Sequence, residues 1–112
     1  MAVGLPLNTF KTRALELTTT EQTIYLTPDG LTTIVLGAQA SNLTANPITI
    51  TFTLRKNDED FILIKDFTIP PNDAAEVTTG KLVIEQGASV KAVVSANNSV
   101  NLVLSILETS NE

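Results

Sequence analysis

The sequence predicts an all-β fold: an antiparallel β-sandwich, jelly-roll or Ig-like, of eight or nine short strands. Three observations predict it. Of the 112 residues 17 are Thr, and Val, Ile and Thr together make 35; β-branched side chains fit a pleated surface better than a helix. Turn signals recur every 8–12 residues or so, roughly the rhythm of sandwiches and barrels. No segment carries a convincing helical period. Hydrophobic residues at 43% and charged residues at 17% suit a chain that buries a core rather than a disordered one. No linker or fixed-period repeat divides it, so one domain is expected.

Residues 1–8, with Gly4 and Pro6, read as an extended N-terminal arm. Residues 9–108 then form the sandwich, and residues 109–112 a polar tail. The first strand, 9–19, alternates Phe10, Thr12, Ala14 and Glu16 against Lys11, Arg13, Leu15 and Leu17. Neither face is clearly the buried one, and a short amphipathic helix is the competing reading. Residues 23–27 form a second strand, stopped by Pro28-Asp29-Gly30, where Pro presets φ and Gly takes a positive φ. Residues 31–40 follow, with Gly37 marking a bulge or a close backbone approach. Ser41 to Pro47 reads as a loop.

Residues 48–55 show the cleanest pattern. Ile48, Ile50, Phe52 and Leu54 alternate with Thr49, Thr51, Thr53 and Arg55, so one face is buried and the other wet. Residues 56–60 read as the hairpin loop and 61–69 as the return strand, broken by Pro70-Pro71. Phe52 and Phe61 both read as core. Short strands at 74–79, 81–86 and 88–96 are ended by Gly80, Gly87 and Asn97-Asn98, the last a candidate type I′ hairpin turn. Residues 99–108 close the domain with Val100, Leu102, Leu104 and Ile106 on one face.

Composition excludes much chemistry. There is no Cys, His or Trp, which removes disulfides, thiolate and imidazole metal sites, Cys nucleophiles and His-based triads. A net charge of −5 with scattered basic residues argues against nucleic acid and against anionic membranes. No run approaches 18 apolar residues, and the N-terminus has no basic region of a signal peptide. Two sequons, Asn42-Leu43-Thr44 and Asn97-Asn98-Ser99, read as chance matches.

Three constellations remain for chemistry. Asp58-Glu59-Asp60 offers oxygens to a hard cation, but lacks spaced ligands and an internal Gly, and reads as a solvated loop. Asp66, Asp73, Glu76 and Glu85 offer carboxylates for glycoside hydrolysis, with no aromatic platform beside them. Ser89 and Lys91 share a strand face without any oxyanion motif. None points to catalysis, and no cofactor or metal is implied. What remains is contact surface: the arm residues Val3, Leu5 and Leu7, and the Thr49, Thr51, Thr53 face.

The stretch Ile69-Pro70-Pro71-Asn72, then Leu82-Val83-Ile84-Glu85-Gln86-Gly87-Ala88-Ser89-Val90-Lys91-Ala92, then Asn101 to Glu108, resembles small β-sandwich virion proteins of tailed bacteriophages. In that pattern the Pro pair forces a crossing between sheets, Gly87 makes a tight turn, and the last strand pairs centrally. The resemblance covers about half of the chain. It implies a non-enzymatic structural protein located in the virion and made in the bacterial host cytoplasm. The leading expectation is a capsid decoration or cement protein that oligomerises, as a trimer or higher, on the major capsid protein or other virion proteins. A neck, tail or baseplate component is the alternative. A host-surface or carbohydrate-binding module is the alternative from another class, disfavoured by the scarcity of aromatics.

Overall fold

A computed structural model describes residues 8–78 and 80–111, and among them forms nine strands and no helix. The first sheet contains β1 (Asn8–Glu16), β9 (Val100–Ser110) and β3 (Leu31–Asn42), with β6 (Ala74–Glu76) and β7 (Leu82–Ile84) sharing the far edge of β3. The second runs β2 (Gln22–Leu26), β8 (Ser89–Val94), β4 (Ile48–Lys56), β5 (Glu59–Ile69). Every pairing is antiparallel. The partners are nested: first with last, β2 with β8, β3 with β6 and β7, β4 with β5. The chain is therefore one long hairpin rolled so that successive rungs fall in opposite sheets, which is a jelly roll rather than an Ig fold.

The tip of that hairpin is tighter than the expected loop over residues 56–60. Asn57 (φ 54°) and Asp58 (φ 62°) are both left-handed, so they form a two-residue turn of type I′, and Lys56, Glu59 and Asp60 lie in strands. The expected Asn97-Asn98 hairpin is overturned. Strands β8 and β9 belong to different sheets, because β2 and β4 already flank β8 while β1 and β3 flank β9. Only Asn98 of the two is left-handed (φ 58°), and buried Ser99 anchors the crossing by donating to the Ala96 carbonyl at 2.6 Å.

Pro70 and Pro71 do mark a crossing between sheets, and the last strand does pair centrally. Asn42 ties that crossing down. Its amide faces the carbonyls of Asn46, Ile69 and Pro70 at 2.8–3.2 Å, and its Oδ1 accepts from the Thr44 backbone and hydroxyl. This buried amide is structural, and Asn42 belongs to β3, so the loop starts later than Ser41. Gly87 (φ 81°) closes the β7–β8 turn, where the Ala88 N–H reaches the Glu85 carbonyl at 2.9 Å.

Between the sheets Val100, Leu102, Leu104 and Ile106 of β9 are all buried, as are Ile48, Ile50 and Phe52 of β4. Each such side chain contributes about 1.5–3 kcal/mol on burial. Phe61 does not join them. It sits on the core-facing register opposite Leu54, but β5 is a sheet edge with one lateral neighbour, and Phe61 stays 48% exposed.

At the β1–β2 seam the interior is polar. Buried Glu108 accepts a hydrogen bond from the Tyr25 hydroxyl across the sheets and pairs with Lys11 Nζ at 2.8 Å. The sandwich runs on into the expected tail: β9 continues to Ser110, and Asn111 N–H donates to the Gly30 carbonyl at 3.0 Å. At the other terminus β1 already begins at Asn8. The rest of the arm expectation, Val3, Leu5 and Leu7 included, lies outside the described residues.

Bulges decide which side chains face outward. At Gly37 β3 gains a residue against β9, which switches the inward set from Thr33 and Val35 to Ala38, Ala40 and Asn42. Here the expected close approach is visible: a Cβ on Gly37 would meet Glu76 Oε2 at 3.2 Å. That carboxylate accepts from the Ala38 N–H beside the bulge and from Thr78 Oγ1 at 3.2 Å.

Candidate interaction surface

The four carboxylates considered for hydrolysis sit at separate structural contacts. Asp66 sits at a β5 bulge, its N–H donating to Thr51 Oγ1 at 3.0 Å. Asp73 accepts from the Ala74 N–H at 2.8 Å, Glu76 serves the Gly37 bulge, and Glu85 pairs with Lys56. Among the described residues no three potential metal ligands cluster. Ser89 is buried, and Lys91 is pinned between Asp60 (3.0 Å) and Glu21 (3.1 Å). Hydrogen bonds from Lys91 to Asp60 and then Glu21 raise the Lys91 pKa above its ordinary value, which holds the amine charged and unfit as a base.

These charges belong to the outer face of the second sheet. Lys91 of β8 and Asp60 of β5 flank the β4 row, and Arg55 completes the group at 2.9 Å from Asp60. The Asp60 carboxyl is held below its ordinary value by the hydrogen bond from Lys91, then by that from Arg55. Asp58 lies at 3.9 Å from Arg55. Thr49 and Thr51 are half-buried on this face, while Thr53 is only 3% exposed. The expectation of a wet threonine row fails at Thr53 because Lys91 and Ile62, its partners on the adjacent strands, lie on either side of it.

The outer face of the first sheet is different. In direct register, Phe10 of β1 pairs with Leu107 of β9, Leu107 with Ile34 of β3, and Ile34 with Val83 of β7. One apolar side chain from each of β1, β9, β3 and β7 thus forms a row across the sheet. Phe10 is 74% and Val83 54% exposed. Leu36 and Val103, also exposed, extend the row on its flanks. The remaining outward strand positions are mostly Thr, Ser, Asn, Gln and Ala. Charge enters only at Glu16, at the far end of β1, and at Glu76, whose carboxylate is turned to the Gly37 bulge. Lys11 and Arg13 point the other way, to Glu108 and to the Ile24 carbonyl. Sequence reasoning recorded the Phe10, Thr12, Ala14, Glu16 alternation but had no means of joining it to Leu107, Ile34 and Val83.

A third apolar region follows β5, where Phe61, Ile62, Leu63 and Phe67 are exposed. A cavity of about 140 Å³ opens beside it, lined by Leu63, Ile64, Val77 and Leu82. This edge is guarded: β5 carries extra residues at Leu63 and at Lys65-Asp66, and Asp66 is left-handed. Bulges and charges on an edge obstruct strand addition.

The chain matches no family model and no curated protein. Solved structures share its fold. One is from the disulfide-linked pili of Bacillus endospore appendages, at 11% identity and TM-score 0.56, covering 100% of this chain and 96% of that one. Another is from the acidic stable capsid structure of Helicobacter pylori bacteriophage KHP30, at 15% identity and TM-score 0.54, covering 96% and 90%. A third is from the T13 IBDV viral particle, at 10% identity and TM-score 0.53, covering 92% of this chain and 31% of that one. At these identities the likeness is one of fold. No helix among the described residues is long and apolar enough to cross a membrane.

Proposed function

We propose that this chain is a non-enzymatic structural protein of a phage virion, a decoration or cement protein that oligomerises on the capsid and stabilises it. The observation that carries this reading is a jelly roll with an uncovered, nearly charge-free sheet face. Such faces are what subunits use to pack, because charged residues are depleted where an interface is fully buried. Many modest contacts multiplied by symmetry hold a shell tightly. The likeness to the KHP30 capsid chain, which leaves little of either chain unmatched, supports a virion part of this size. The chemistry agrees: no His or Cys is present, and Lys91, which shares a strand face with Ser89, is locked in ion pairs.

In this reading Val3, Leu5 and Leu7 reach onto neighbouring subunits. Deleting residues 2–8 lowers the solution mass of the oligomer, measured by light scattering; an unchanged mass removes the arm from the assembly. The likeness to a pilus protein favours a second reading, a tail or neck component whose contacts close a tube. Immunogold labelling of particles with an antibody to this chain separates the two. Gold on the heads supports decoration, gold on the tails supports the tube component, and unlabelled particles overturn the virion reading.

A further inference from the structure

We infer that the outer face of the first sheet packs against the same face of a second copy of this chain, about a two-fold axis near the Leu107–Ile34 pair. The inference rests on the reading of the chain as an assembling subunit, and it names the surface and its occupant.

Charge selects the occupant. The chain carries 19 charged residues and a net charge of −5, and its exposed ion pairs lie on other surfaces, so this face is where two copies meet with the fewest charges opposed. The first sheet's outer face excludes charge from its middle and offers nothing for a charged partner to pair with. Another copy of the same face is a neutral surface of the same chemistry.

Shape agrees. The row runs Phe10, Leu107, Ile34, Val83. A two-fold axis at its centre sets Phe10 of one copy over Val83 of the other, large against small, and Leu107 over Ile34. Both pairings then fill a similar gap, as sheets stacked about 10 Å apart require. An isologous contact of this kind closes on itself and does not propagate.

The area is sufficient. Strands of nine to twelve residues spaced about 4.8 Å apart give a face of about 30 Å by 19 Å, about 570 Å² before side-chain relief is counted. Two such faces give about 1,140 Å² in total, above the roughly 1,000 Å² that a specific interface needs. The β5 edge, with its bulges and charges, offers no comparable continuous surface.

The test uses the full chain in analytical ultracentrifugation, alone and as two double variants. Phe10→Lys/Val83→Lys alters two exposed ends of the row and leaves the core untouched. Ile62→Lys/Thr68→Lys alters the opposite face. The wild type sediments as a dimer or a multiple of it, the first variant associates at least about 30-fold more weakly, and the second matches the wild type. Circular dichroism reads folding in each. Because the chain has no Cys, single-cysteine variants give an independent readout: Ser105→Cys is cross-linked by a bis-maleimide into dimers and Thr68→Cys is not. A wild type that associates while ignoring the Phe10/Val83 change overturns the face and leaves the assembly reading standing. A wild type that stays monomeric also overturns it. Unlabelled particles together with an intact dimer overturn the virion reading and leave the face standing.

Discussion

The two outer faces of this sandwich are built from strands of similar composition and end up opposite in character. On the second sheet, Lys91, Asp60, Arg55 and Glu21 form a connected ion network over β4, with Thr49 and Thr51 beside it. On the first, Phe10, Leu107, Ile34 and Val83 align across the strands with little charge among them. The second face satisfies itself with its own partners and with water. The first leaves apolar area unburied, which is the surface the proposed contact uses. A Thr-rich strand therefore says little about whether its face is free. What matters is which side chains the neighbouring strands set beside it.

The largest expected effect comes from breaking what both faces share. Leu104 is fully buried in the centre of β9, and Leu104→Ala costs about 2–5 kcal/mol through lost transfer energy and an unfilled cavity. Its outward neighbour Val103→Thr costs about 0.5 kcal/mol or less. Chemical denaturation of the two variants checks both numbers, and a similar loss at both positions breaks the division into inner and outer faces.

A smaller effect tests the bulge that turns Ile34 outward and Ala38 inward. Gly37→Val puts a branched side chain 3.2 Å or less from Glu76 Oε2, so the carboxylate must leave the Ala38 N–H. Overpacking of this kind costs about 1–3 kcal/mol. Thermal melts read the loss, and a wild-type melting temperature would falsify the account of the bulge.

The third effect is modest and confined to the second sheet. The Asp60 carboxyl is depressed below its ordinary 3.8 by Lys91 and Arg55. A carboxyl whose pKa falls on folding stabilises the native state fully above its unfolded value, and loses this as pH drops through the folded one. The stability difference between wild type and Asp60→Asn is therefore flat from neutral pH to about pH 4 and shrinks below it. Salt reduces the difference, because the pair is exposed. A difference that grows toward acid pH contradicts the network. Association through the first sheet's face shows little of this salt dependence, which is the sharpest contrast between the two faces.

A further small effect is at Thr51 itself. Thr51→Val removes the hydroxyl that accepts from the Asp66 N–H on an exposed edge, and stability changes by about 0.5 kcal/mol or slightly more. A loss of several kcal/mol measured by urea unfolding would make the Thr face a structural element instead of a surface.

Much of this fold is legible in residue order. The 48–55 alternation announces β4, Val100 to Ile106 announce the buried face of β9, Gly37 marks a bulge, and the Pro pair marks the crossing. The strand β5 is not legible in the same way. Its core-facing register positions, Phe61, Ile64 and Phe67, fall three apart because each interval contains an extra residue. A bulge moves every later side chain to the other face, and only pairing with β4 reveals where it falls. The Asn97-Asn98 reading fails for a similar reason: local turn chemistry fits a hairpin, but both strands already have their lateral partners.

By itself the sequence determined the class, most of the strands, and the absence of His and Cys side chains, because each follows from composition or from side chains close together in the chain. Tertiary structure decided the jelly-roll order, the Thr53 burial, the exposure of Phe61, the Glu108–Tyr25 clamp and the apolar row. Those depend on residues tens of positions apart, as with Phe10 and Leu107, and it is register between strands, not composition along them, that sets them side by side.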